Sequence, residues 1–169
     1  MSDVLSGEEP LKHLFAGLTE YTFEVDLGVA DPPLIDYLSD LLVRFVRIDA
    51  IFGIRNATGQ RLQQVTDMLV EAGHRTDRPQ RDLHRHIGDV TLFYLGVFPE
   101  AIEQMKKREV KDSLLSYCEQ GKRSYHIASE LTAGEHREEA GLYQRLSDEF
   151  ELCSVGLAKV RKELQLVKG

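Results

Sequence analysis

Apolar residues recur along this chain at steps of three and four, the spacing that lines one side of an α-helix. The first series is Leu11, Leu14, Leu18, Tyr21 and Val25, starting beside Pro10. Tyr21, Phe23 and Val25 also alternate as a strand would, but a lone strand has no partner in the remaining sequence. A helix ending at Gly28 is therefore expected. Asp31 can cap a second helix with Pro32 in its first turn, and Leu34, Leu38, Leu41, Leu42, Phe45 and Ile48 form a broad apolar stripe. Asp36, Asp40, Arg44 and Arg47 fall opposite, with Asp40 and Arg44 spaced as a surface ion pair.

After a break over residues 53–59, Leu62, Val65, Leu69 and Ala72 predict a third helix that Gly73 can close in a left-handed cap. Pro79 opens a fourth, striped by Leu83, Ile87, Val90, Tyr94 and Val97, and residues 90–98 are so apolar that this helix belongs at the centre. Gly88 and Gly96 within it cost helix propensity, by up to about 1 kcal/mol each relative to alanine, and close packing against neighbours is the expected return. A short helix from Pro99 to Lys107 follows. Asp112 or Ser113 can then cap a helix carrying Leu114, Tyr117, Gly121, Tyr125, Ala128 and Leu131, ended by Gly134. The last helix, over 137–166, carries an unbroken seam of Tyr143, Leu146, Phe150, Cys153, Leu157, Val160 and Leu164.

The pattern thus predicts an all-α, single-domain helical bundle of about six or seven helices with a long C-terminal helix. Residues 1–9 are expected to be a flexible tail and residues 10–169 the domain. Composition agrees: 169 residues that are 42% hydrophobic and 29% charged can bury a core without a disulfide or metal.

Twenty-eight acidic against 21 basic residues give a net charge of −7 with the signs interspersed, so no basic face invites nucleic acid. The one basic run, Lys106, Lys107 and Arg108, suits a helix C-terminus, where cations meet the dipole. The first residues lack a basic-then-apolar leader, and no stretch approaches the roughly 18 apolar residues of a membrane span, so a cytoplasmic protein is expected. Cys118 and Cys153 fall on apolar faces and are expected to be buried, reduced thiols.

Candidate chemistry concentrates at residues 81–89, RDLHRHIGD, where Asp82, His86 and Asp89 lie along one flank of the fourth helix's stripe. Imidazole with carboxylate could form half a metal site, whereas ion pairs with nearby arginines are the plainer expectation. His84, two residues from His86, points to another side of the helix and is expected in solvent. A Glu-x-x-His pattern of the kind found in di-metal bundles occurs once, at Glu71 and His74, on a helix end weakened by Gly73. His126 and Glu130, four apart, could orient an imidazole for acid-base work, whereas a surface pair is the plainer expectation. No serine elbow, activated cysteine or phosphate loop is present, and neither cofactor nor metal is called for.

An ionisable group entering an apolar helix must be paired or shifted in pKa, which singles out Asp89 with Arg44, Arg47 and Arg85 as partners in that order. Two functions follow. The first is a structural protein acting through self-association, as a homodimer for instance, or through a protein partner. The second is a helical-bundle enzyme or small-molecule or metal-binding protein with a pocket near His86, Asp89, Tyr94 and Tyr125.

Overall fold

A computed structural model describes the backbone of residues 2–45, 64–110, 112, 115–132, 134 and 136–168, and side chains over the same residues from 10 to 165. The expected contributions of Ile48, Arg47, Leu62, Ser113 and Leu114, and the break at 53–59, lie outside the described residues. Every regular element among those described is helical: α1 (Ser2–Tyr21), a π-helical turn (Thr22–Asp26), α2 (Pro32–Phe45), α3 (Val65–Gly73), α4 (Asp77–Val97), α5 (Pro99–Arg108), α6 (Tyr117–Leu131), α7 (Arg137–Asp148) and α8 (Phe150–Lys168). The all-α bundle is as the apolar spacing predicts, with one helix more than expected.

α4 is the central helix, packing on α6, α8, α3, α5 and α2. Its glycines explain how. A Cβ built on Gly88 would lie 2.6 Å from the Tyr125 ring of α6, and one on Gly96 would lie 2.8 Å from Leu157 of α8. Gly121 of α6 likewise makes room for Phe150 and Thr91, and Gly156 of α8 for Phe23. The helix axes approach closely because a side chain is missing at each crossing, which offsets the propensity lost to glycine.

Helix ends largely follow local chemistry. The Asp31 carboxylate accepts from the Leu34 amide at 3.3 Å, and Gly28 and Gly134 take the left-handed conformation where chain segments turn. Gly73 does not: it lies within α3, and His74 closes that helix in right-handed geometry. Asp112 does not cap α6 either. Ser116 does, accepting from the Glu119 amide at 3.3 Å. Asp112 turns back to the start of α3 and accepts from the amides of Val65 at 2.8 Å and Thr66 at 2.9 Å, and from the Thr66 and Tyr117 hydroxyls. Its own amide donates to Gln64 Oε1 at 3.1 Å. A carboxylate distant in sequence thus satisfies the orphan amides of a nine-residue helix.

Two expectations about apolar stripes need correction. α1 is helical, with backbone beginning at Ser2, but the face it buries is Phe15, Thr19, Thr22 and Phe23. Leu14, Tyr21 and Val25 stay 39%, 58% and 62% exposed, with Leu11 and Leu18 half-buried at the edge. The π-helical turn shifts the register, and burying Phe23 against Gly156 fixes the phase. The seam over 137–166 does not run through one helix: the chain breaks at Glu149, separating α7 from α8. Tyr143, Leu146, Phe150, Cys153, Leu157 and Val160 are nevertheless all buried, because both helices turn their stripes to the same core.

Cys153 is buried as expected, and burial pushes its thiol up to about 12. Cys118 is only half-buried, with Sγ 3.9 Å from Glu151 Oε1; burial first and then the carboxylate raise its pKa. Both thiols are free. Native-state thiol titration is expected to modify Cys118 slowly and to leave Cys153 unmodified until the protein unfolds. Equal labelling rates would contradict this burial.

Candidate functional site

α4 carries Asp89 into the middle of the bundle, where its residue surface is 1% exposed. A carboxylate there needs a partner for every lone pair turned toward the protein. Oδ1 accepts from the hydroxyls of Tyr125, at 2.6 Å, and Tyr37, at 2.7 Å, while Oδ2 receives Arg44 Nη1 at 3.2 Å. Arg44 is the first of the three partners the sequence suggests. It leaves the polar face of α2 and lies over the rings of Tyr37 and Phe45, its centroid distances being 5.7 and 5.6 Å, so it does not serve the expected surface pairing with Asp40.

Electrostatics follow this geometry. Burial, then the Asp89 charge, raise the pKa of Tyr37 and Tyr125 well above the usual phenol range, so both stay protonated donors. Burial alone would lower Arg44, yet the facing carboxylate outweighs it and the guanidinium is held charged. Arg85, one turn before Asp89 on α4, is also raised: burial opposes its charge, and Tyr143, Tyr37 and Asp89 more than compensate. The Tyr143 hydroxyl donates to Glu139 Oε1 at 2.8 Å, and its ring stands edge-on to Tyr37 with centroids 6.4 Å apart. The cluster therefore joins α2, α4, α6 and α7 around one carboxylate. Arg85 Nε within it is buried with no hydrogen-bond acceptor among the described residues.

The four residues singled out from sequence do not converge. Tyr125 touches Asp89, as expected. His86 is buried on the α2 side, its ring 6.0 Å from Phe45. Tyr94, five residues beyond Asp89, belongs to a different group: its ring lies 6.1 Å from Tyr117, and burial followed by the Asp112 charge raises its pKa. His84 is not in solvent; it is buried, with Nδ1 3.3 Å from Ser124 Oγ, and burial lowers its pKa. Sequence reasoning missed Tyr37. The usable signal was its spacing from Arg44, seven residues or two turns along the same flank of α2.

The remaining candidates resolve simply. Asp82 pairs with Arg81 at 2.9 Å on the same helix. Glu71 pairs with Arg75 at 3.1 Å, and His126 pairs with Glu130 and meets Gln144 Oε1 at 2.8 Å on the surface. Among the described residues, no group of three or more His, Cys, Asp or Glu gathers as a metal site requires. Among them too, no helix is long and apolar enough to cross a membrane. No known family, curated protein or solved structure matches this chain.

Proposed function

We propose that this chain is a cytoplasmic helical scaffold that acts through its surface, by self-association or by binding a protein partner, with residues 10–169 as the working domain and 1–9 as a tail. The observation that carries this reading is the state of Asp89. Its two oxygens are occupied by Tyr37, Tyr125 and Arg44, all from the chain itself, so most of its bonding capacity goes to joining helices. A ligand site would instead hold polar groups open toward a concave space. The unpaired thiols fit a reducing compartment.

The competing reading, a small-molecule or enzymatic site at His86, Asp89, Tyr94 and Tyr125, is tested with it. Native mass spectrometry of the purified chain and of Asp89→Asn is expected to give chain masses, or whole multiples, without adducts in both. A small molecule carried by the natural chain and lost in Asp89→Asn would replace the scaffold reading with ligand binding.

A further inference from the structure

α4 and α6 make the most extensive pairing of helices among the described residues. Gly88 admits the Tyr125 ring at their crossing, and one turn earlier on α4 His84 meets α6 at Ser124. The contact is dry: His84 is 7% exposed, Ser124 is 0% exposed, and Gln120, one turn before Ser124, is 6% exposed. Gln120 Nε2 donates to Ser124 Oγ at 2.9 Å, which leaves the Ser124 hydrogen to be given to His84 Nδ1, 3.3 Å away. Donation therefore runs one way, from Gln120 through Ser124 to the imidazole. It ends on a lone pair that Nδ1 offers only while the ring is neutral.

Nothing around the ring would answer a positive charge. The charged residues of α4 within a turn are Arg81 and Asp82, which pair with each other, and Arg85, a second cation turned to the Asp89 cluster. His86 lies on the α2 side against Phe45. On α6, Glu119 and Arg123 are exposed, Lys122 pairs with Glu151 of α8, and the Tyr125 hydroxyl is given to Asp89. α3 spends Glu71 on Arg75, α2 brings Arg44 to Asp89, and Arg161 of α8 pairs with Glu100 of α5. Among the described residues no carboxylate pairs with His84, and burial is the one influence that shifts its pKa, downward.

We propose that His84 is an acid-operated latch between α4 and α6, closed while its imidazole is neutral and released when the ring takes up a proton. Protonation sets a hydrogen on Nδ1 against the one that Ser124 donates, so the hydroxyl must turn away, and it leaves a full charge buried without an anion. Relief comes from bringing the ring to water, which requires α6 to part from α4 at this turn. The latch goes beyond the scaffold reading and does not rest on it.

The unfolded chain takes up this proton near pH 6.5, the folded chain only at lower pH, so the stability due to neutral His84 is complete above about pH 6.5 and is lost as pH falls below it. Urea denaturation at about pH 7.5 and about pH 5.5, both above the ordinary carboxyl range, reads the effect. The folding equilibrium constant should fall by up to about tenfold in the natural chain, and by less than about twofold in His84→Gln, whose amide can still accept from Ser124. Hydrogen exchange, corrected for the intrinsic effect of pH, should show α6 amides losing protection at the lower pH more than those of α2. Titration of the His84 ring by NMR in the natural chain needs no variant to fold, and should place its midpoint below about 6.5. Four results would overturn the proposal: a natural chain equally stable at both pH values, an equal fall in His84→Gln, equal loss of protection in α6 and α2, or a ring that titrates at or above about 6.5.

Discussion

Asp89→Ala should lower the free energy of unfolding by about 3 to 5 kcal/mol, measured by urea denaturation of the purified chain. The loss does not come chiefly from the ion pair. Arg44 keeps 40% of its side-chain surface in water and can rehydrate when its partner is removed. Tyr125 cannot, and Tyr37 is half-buried. Tyr125 is 0% exposed and donates to Asp89 from 2.6 Å, and Tyr37 donates to the same oxygen from 2.7 Å. Each buried donor left without an acceptor costs about 1 to 3 kcal/mol, and a small cavity adds to that. Asp89→Asn keeps an acceptor in nearly the same place and should cost less than Asp89→Ala. A loss below about 1 kcal/mol for Asp89→Ala would mean that water reaches both hydroxyls and that the cluster does not organise the bundle.

Phe150→Ala should cost a similar amount, about 3 to 5 kcal/mol, through packing alone. Phe150 is 0% exposed at the first residue of α8, its ring 6.1 Å from that of Tyr125 and seated where Gly121 lacks a side chain. Truncation would leave the Gly121 notch empty. The surrounding groups cannot close it without moving α6, which is held against α4 at Gly88. Urea denaturation with an unchanged m-value checks this, and a loss under about 1 kcal/mol would mean that the notch collapses freely.

Much of this architecture is legible in the spacing of apolar residues. The stripe of α2 reads directly, because Leu34, Leu38, Leu41, Leu42 and Phe45 are all buried as the pattern requires. So does the central place of α4, and its glycines announce close crossings before any coordinates are known. α1 shows where periodicity fails. Its sequence offers two apolar faces, and which one is buried depends on Phe23 finding Gly156, a residue more than a hundred positions away. The interruption at Glu149 fails for the opposite reason, since a stripe that steps evenly across a helix break carries no mark of the break.

The site divides in the same way. Asp89 and its first-choice partner Arg44 follow from elementary electrostatics, because a charge on an apolar helix must be answered nearby. Tyr94 shares the stripe of α4 with Asp89, yet five residues of helix carry it away to Asp112 and Tyr117. His84 looked hydrophilic in sequence and is buried because α6 brings Ser124 to meet it. In each case the deciding neighbour lies on another helix, and a one-dimensional pattern holds no record of it.

The carboxylate of Asp112 also bears on the order in which the protein assembles. It completes the start of α3 from 47 residues downstream of Val65 and 46 downstream of Thr66. On a ribosome, α3 is therefore synthesised in full before the carboxylate that completes its start. A helix of nine residues gains little stability in isolation and has no reason to persist during that interval. Its full set of partners is complete only once α4, α5 and Asp112 have followed. A nascent chain stalled before residue 112 would lack the acceptor for the Val65 and Thr66 amides, whatever the state of the helices already made.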